Sequence, residues 1–114
     1  MDSILTSIKL LLGISEDYEC FDGILIAHIN SVFSILTQLG VGPKSGFSIT
    51  DKTAVWSDFI PEGSNLELVK SYIHHKVKLL FDPPLGSAVL ESTNRLINEM
   101  EWRLNVEVDP KETN

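Results

Sequence analysis

One stretch of the sequence indicates how the second half of the chain folds: KSYIHHKVKLLFDPP, residues 70–84. Its apolar residues recur at intervals of three and four, the spacing of one face of an α-helix. Pro83 and Pro84 then end the helix, because proline lacks a backbone N–H and restricts the residue before it. A second striped segment follows and ends in EWRLN, residues 101–105. The pattern predicts two helices that form an antiparallel hairpin across the double proline.

The same spacing predicts two further helices toward the N-terminus. Ser3 is placed to cap a helix over residues 3–12, which Gly13 ends. Asp22 is placed to cap the next helix, which continues to about Leu39. This second helix has the widest apolar stripe of the four. We therefore expect it to be the central helix of the core.

The two helices of the hairpin have start signals of their own. Ser64 or Asn65 is placed to cap the third helix, which extends to Phe81, and Ser87 is placed to cap the fourth. Each helix has a stripe of residues that are expected to face the core. In the first helix these are Ile4, Ile8, Leu11 and Leu12, and in the second Leu25, Ile29, Val32, Leu36 and Leu39. In the third they are Leu66, Val69, Ile73, Val77 and Leu80, and in the fourth Val89 or Leu90, Thr93, Ile97, Met100 and Leu104.

Residues 40–64 differ from the rest because glycine and proline interrupt them repeatedly. They are too many for an ordinary connection between helices, which has about 2–8 residues. Residues 47–50 are expected to be extended, and residues 53–60 to hold one helical turn. Long ordered loops of this kind tend to carry function.

The predicted fold class is all-α: a small helical bundle of four main helices with a long ordered loop between the second and third. Residues 1–105 are expected to form a single α-helical domain. Residues 106–114 are polar, include Pro110, and are expected to form a C-terminal tail outside it.

The composition is that of a globular domain, and its charge limits the partners. Of the 114 residues, 43% are hydrophobic and 22% are charged, and the net charge is −7. The nine Lys and Arg residues are spread along the chain, whereas a duplex-binding protein concentrates them on one face. We therefore expect no specific DNA binding, although DNA can pass an acidic surface without adhering to it.

Cys20 is the only cysteine, which excludes an internal disulfide and favours a reducing compartment. No apolar run approaches the roughly 20 residues of a membrane span. The N-terminus lacks the basic start of a signal peptide. These features predict no membrane partner.

The histidines and the cysteine do not form a recognisable chemical site. His74 and His75 are adjacent, so on a helix they point about 100° apart and cannot hold one metal ion. Cys20 and His28 have no third group that would orient them for nucleophilic catalysis. The sequence therefore predicts no enzyme, no cofactor and no metal site.

A small helix-turn-helix-type DNA-binding regulator is the alternative among all-α proteins. Its recognition helix would carry Arg, Lys, Asn or Gln on the exposed face. The last helix offers such residues, but its glutamates would meet the phosphates unfavourably. Salt-dependent binding to duplex DNA distinguishes a regulator from a structural protein. The residues concerned are Asn94, Arg95, Asn98 and Arg103, against Glu91, Glu99 and Glu101.

Aromatic residues outside the main stripes are the best candidates for an interaction site. Trp56 and Phe59 lie in the long loop, and Trp102 lies near the end of the last helix. Such residues pack in a core or anchor a protein interface, where Trp, Tyr and Arg concentrate binding energy. The predicted protein-interface residues are Phe47, Trp56, Phe59, Glu101, Trp102 and Arg103.

Several blocks of the sequence, in order, resemble the phage head-tail connectors, the adaptor proteins that join the portal vertex of long-tailed double-stranded DNA phages to the tail. The resemblance spans about residues 2–105 and leaves out the rest of the C-terminus. The blocks are ILTSIK-x-LLGI (4–14), HINSVF-x-ILTQLGVGP (28–43), WSDF (56–59), LLFDPP (79–84) and EWRLN (101–105).

The resemblance implies a small helical protein of the virion that is assembled in the host cytoplasm and has neither catalysis nor a cofactor. It implies a ring, typically a dodecamer, at the head-tail junction beneath the portal protein. The ring would extend the DNA channel and dock the tail-completion or next connector protein. Subunits in a ring contact each other through two different patches. We expect the loop at 40–64 of one subunit to contact the surface around Trp102 of the next subunit.

Overall fold

The computed structural model describes the backbone of residues 3–61 and 65–112 and the side chains of residues 3–61 and 65–106. In these ranges it contains five helices and no strand. Because the third helix is a single turn within the long loop, the predicted all-α fold with four main helices is confirmed. The helices are α1 (Ile4–Leu11), α2 (Asp22–Gln38), α3 (Trp56–Phe59), α4 (Leu66–Phe81) and α5 (Ser87–Glu112).

Helices α2 and α4 pack against each other and form the centre of the molecule. Helix α1 packs on both of them, and α5 packs on α4. The predicted stripe of α2 is buried except for Leu39, which is half-buried, and Phe33 also joins the core. Burying an aliphatic side chain contributes about 1.5–3 kcal/mol, so the contact between α2 and α4 accounts for much of the stability.

Helix α1 begins as predicted but turns a different face to the core. The Ser3 hydroxyl accepts a hydrogen bond from the Thr6 N–H at 3.2 Å, and Gly13 follows with a φ of +82°. Leu11, expected in the core, is 51% exposed. The helix buries Lys9 instead. Because lysine is charged, the spacing of apolar residues does not identify position 9 as part of the buried face.

Lys9 is held by polar partners between α1 and α2. Its ammonium lies 2.8 Å from Oδ1 of Asp22 and donates to the Glu16 carbonyl at 3.0 Å. Asp22 is the first residue of α2 and not its cap, because Phe21 takes the cap position. The side chain of Asp22 thus serves the ion pair, a role that the sequence did not indicate.

The side chain of Asn30 on α2 hydrogen-bonds to the backbone of the long loop. The amide of Asn30 donates to the Ile49 carbonyl at 2.9 Å and accepts from the Ile49 N–H at 2.7 Å. Residues 47–50, expected to be extended, form no strand in the described part of the chain, because Ile49 pairs with this side chain and not with another strand. The helical turn expected within residues 53–60 is confirmed as α3.

The hairpin of α4 and α5 turns at the double proline, as predicted. Asn65 occupies the N-cap position of α4, as predicted, but it has a left-handed φ of +50° and its side chain makes no cap hydrogen bond. Ser64 lies outside the described residues. At the end of α4, Leu80 is 52% exposed and not in the core. Helix α5 continues to Glu112, past the predicted end near residue 105. No glycine or proline between Ser87 and Pro110 stops it earlier.

Candidate interaction surfaces

Trp56 and Phe59, expected to anchor a partner, form part of the chain's own core. Their exposed fractions are 1% and 3%. The indole N–H of Trp56 donates to the Ser7 hydroxyl at 3.1 Å, and the Phe59 ring lies 4.7 Å from the Phe33 ring. Since α3 folds inward over the other helices, neither side chain presents a surface to another molecule.

Phe47 also packs on this aromatic group. Its ring centroid lies 5.0 Å from that of Phe33 and 5.2 Å from that of Phe59. The side chain is half-buried. Phe47 therefore holds the long loop against α2 and α3, and only its outer edge is available to a partner.

Glu101 joins the two helices of the hairpin. Its carboxylate accepts a hydrogen bond of 2.7 Å from the Tyr72 hydroxyl and lies 3.8 Å from the Lys76 ammonium. Burial raises the pKa of Tyr72 far above its ordinary value, and the hydrogen bond and charge of Glu101 raise it further. The phenol therefore stays protonated and remains a donor to Glu101.

Trp102 and Arg103 lie on the outer side of α5. Trp102 is 66% exposed. Arg103 binds Oε2 of Glu99, one turn away, at 2.9 Å through Nε and at 2.8 Å through Nη2. Positions 99, 102, 103 and 106 share one helical face, opposite the buried Ile97, Met100 and Leu104. We call this surface the Trp102 face: Glu99, Trp102, Arg103 and Val106.

The Trp102 face continues onto the start of α4. A shallow depression of about 260 Å³ lies there, with Asn65 and Leu68 on one side and three members of the Trp102 face on the other. Apolar and charged groups thus alternate at this edge of the molecule. Such a mixture is typical of protein-protein contact sites.

A second surface, which we call the α1–α4 groove, lies where α1 crosses α4. Its volume is about 430 Å³. Leu10 and Leu11 form its apolar side, with exposed fractions of 60% and 51%. The sequence did not predict this groove, because Leu11 was expected in the core. The run of three leucines at 10–12 was the available signal, since a short helix cannot turn all three inward. The lining residues are Ser7, Leu10, Leu11, Glu67, Lys70, Ser71 and His74.

The polar side of the groove carries little net charge. Glu67 and Lys70 lie 3.9 Å apart and form a loose ion pair. Burial lowers the pKa of His74, and the charges of His75 and Lys78 lower it further. The imidazole is therefore neutral near pH 7, and it adds no charge to the Glu67–Lys70 pair.

A third surface lies at the turn between α4 and α5, and we call it the double-proline end. Leu85 follows the two prolines and is fully exposed. Beside the end of α4, the ring of Phe81 lies 5.1 Å from that of Phe21, which lies 5.5 Å from that of Tyr18. The flanking helices also expose aliphatic side chains: Leu80, Val89 and Leu90.

Among the residues that the structure describes, no three His, Cys, Asp and Glu side chains lie close enough to hold a metal ion. Over the same residues, no helix combines the length and hydropathy that crossing a membrane requires. Cys20 is exposed and is not part of any of the three surfaces.

A protein-family model described as phage connector protein matches residues 4–111. The match extends beyond residue 105, so it includes most of the segment that the sequence resemblance left out. Searches of the curated proteins and of the solved structures returned no significant match. Because the family model covers nearly the whole chain, the chain belongs to the phage connector protein family.

Proposed function

We propose that this protein is a head-tail connector that assembles as a ring beneath the portal. The ring extends the DNA channel and docks the tail-completion or next connector protein. Membership of the phage connector protein family is the observation that carries this proposal. It supports a structural role in the phage particle, and the surfaces of the chain support the finer assignment.

The exposed apolar surfaces favour a protein that works in an assembly. Exposed aromatic and aliphatic side chains with charged neighbours are typical of contact sites between proteins. This chain exposes Trp102, Leu85 and the Leu10–Leu11 pair on three separate surfaces. A ring subunit in a stacked assembly needs such a set: two patches for its neighbours and a third for a different protein.

The double-proline end suits contact with a different protein of the neck. Pro83 and Pro84 restrict the backbone beside Leu85, so little conformational freedom is lost when this side chain enters an apolar pocket. We assign this end to the portal or to the tail-side connector. The sides of the subunit then remain for its neighbours.

The charge of the chain suits a channel through which DNA moves. The net charge is −7, so phosphates approaching the ring meet repulsion on average. Among the cations, Lys9 and Arg103 are engaged at 2.8 Å by carboxylates of the same chain. DNA is therefore expected to pass without specific binding.

Deletion of the gene from the parent phage tests the proposal. We expect electron micrographs of the lysate to show DNA-leaking or tailless heads beside free tails. Wild-type protein supplied in trans should restore joined particles. A Leu85→Asp variant should fail to restore them while remaining folded, whereas Ile24→Asp, at a 51% exposed residue of α2 that belongs to none of the three surfaces, should succeed. Normal joined particles from the deletion phage would refute the connector function.

A further inference from the structure

Two of the exposed surfaces lie on different sides of α4. The α1–α4 groove uses positions 67, 70, 71 and 74 of this helix, which share one face. On the other side, Tyr72 and Lys76 contact Glu101 of α5, and Leu68 lies beside Trp102. At about 100° per residue, these two sets of positions are roughly 150° apart around the helix. The Trp102 face of one copy therefore cannot cover the groove of the same copy.

Each of the two surfaces offers apolar groups that the other can cover. The groove has a volume of about 430 Å³ and an apolar side formed by Leu10 and Leu11. The Trp102 face presents a 66% exposed indole with Val106 one turn farther along the helix. An interface anchor is a large side chain of one molecule that fills a pocket of another. Here the indole of Trp102 is the side chain, and the groove beside Leu10 and Leu11 is the pocket.

The charges of the two surfaces also match. The Trp102 face carries Glu99 and Arg103 one turn apart, and the groove carries Glu67 and Lys70 at similar separation. In an antiparallel alignment, Arg103 faces Glu67, and Glu99 faces Lys70. The side chain of Glu67 is 90% exposed, and it lies as far as 3.9 Å from Lys70. It is thus free to take a second partner.

From these three observations, we infer that neighbouring copies of this protein meet by seating the Trp102 face of one copy in the α1–α4 groove of the next. The contact joins two different patches, so it can repeat from one copy to the next, as the subunit contact of a ring must. This inference rests on the proposed connector ring and names the surfaces that build it. It replaces the contact between the loop at 40–64 and Trp102, because Trp56 and Phe59 are buried.

Ring assembly of the purified full chain, alone and with the portal ring, tests the contact by sedimentation velocity and electron microscopy. We expect Trp102→Ala to weaken assembly at least about 30-fold, as loss of an interface anchor does. Ile24→Ala is the matched control, because Ile24 is a 51% exposed apolar residue of α2, a helix that contributes no residue to either surface. It should leave assembly unchanged. Far-UV circular dichroism checks that both variants stay helical.

A charge exchange identifies which patches meet. Glu67→Arg and Arg103→Glu should each impair assembly, because each places like charges opposite one another across the contact. The double variant should restore assembly, since the pair is rebuilt with opposite polarity. Restoration by the double variant would not occur if these residues merely stabilised their own helices.

The outcomes separate this inference from the proposed function. Rings of wild type and of Trp102→Ala that are equally stable would overturn the interface and leave the connector function intact. A double charge variant no better than the single variants would also overturn it. If the wild type forms no ring alone or with the portal, and the deletion phage makes normal particles, the connector function and this contact fail together.

Discussion

The hydroxyl of Tyr72 lies 2.7 Å from Oε2 of Glu101 and donates a hydrogen bond to it. Tyr72 is fully buried on α4, and Glu101 belongs to α5. This bond therefore joins the two helices of the hairpin, with the buried Tyr72 on one side and the Glu101 side chain, 31% exposed, on the other. The position of α5, and with it the Trp102 face, depends on this polar contact as well as on the apolar residues of α5.

Tyr72→Phe should lower the free energy of unfolding by about 1.5–3 kcal/mol, the usual contribution of a hydrogen bond to a charged group. The substitution keeps the ring and removes only the hydroxyl, so Glu101 retains Lys76 as its one nearby partner. Urea denaturation measures the change. Tyr18→Phe is the control because Tyr18 is 48% exposed. Equal effects of the two substitutions would contradict the assignment.

The same bond predicts a dependence of stability on alkaline pH. Because burial and Glu101 raise the pKa of Tyr72 in the folded state, the folded chain holds the phenolic proton after the unfolded chain has lost it. The stabilisation is complete below the unfolded pKa of about 10 and is lost as the pH rises above it. Urea denaturation between pH 8 and pH 11 should show the stability advantage of wild type over Tyr72→Phe shrinking above about pH 10. An advantage that stays constant would argue against the raised pKa.

Asn30→Ala should release the long loop from α2. The substitution leaves both the N–H and the carbonyl of Ile49 without the amide that binds them, at a cost of about 2–4 kcal/mol for two unpaired groups. Asn30→Asp should recover part of this loss, because an oxygen remains to accept the Ile49 N–H. The exposed Asn98→Ala should change the free energy of unfolding by less than about 0.5 kcal/mol. Hydrogen exchange at the Ile49 amide reports the release directly, and unchanged exchange in Asn30→Ala would contradict it.

Gly42→Ala should destabilise the chain more than Gly13→Ala. Both glycines have positive φ, +86° and +82°, which costs a residue with a Cβ about 1–2 kcal/mol. At Gly13 the added methyl group meets open space, but at Gly42 it overlaps the ring of Phe59. Moving that ring disturbs the packing of Phe33, so Gly42→Ala should cost about 1–3 kcal/mol more. Equal melting temperatures for the two variants would show that the Phe59 ring can move aside without a loss of stability.

Local signals predicted those helix boundaries that have a chemical cause close by in the sequence. Ser3 caps α1 through its hydroxyl, and Pro83 and Pro84 follow the end of α4. The errors arose where a long-range contact decides the outcome. Lys9 is buried because its ammonium binds the Asp22 carboxylate and the Glu16 carbonyl, which lie later in the chain. The spacing of apolar residues along the sequence does not reveal such a contact.

The candidate site was predictable only in part, for the same reason. Trp102 was correctly singled out as lying outside the core, because its position falls off the apolar stripe of the last helix. Trp56 has no such pattern around it, and its burial depends on α3 folding over Ser7. The α1–α4 groove could not be read from either helix alone, since it exists only where the two helices cross.

The two tryptophans should report on opposite environments. Trp56 is 1% exposed, and Trp102 is 66% exposed. Trp102→Phe leaves only the buried indole, so its emission should be blue-shifted and poorly quenched by acrylamide, with unfolding free energy within about 0.5 kcal/mol of wild type. Trp56→Ala should instead cost about 3–5 kcal/mol, because a large buried side chain is lost.

In wild-type rings, quenching of Trp102 should fall relative to the monomer, since the neighbouring groove would cover the indole. Quenching that is the same in ring and monomer would place Trp102 on the outside of the assembly and remove it from the subunit contact.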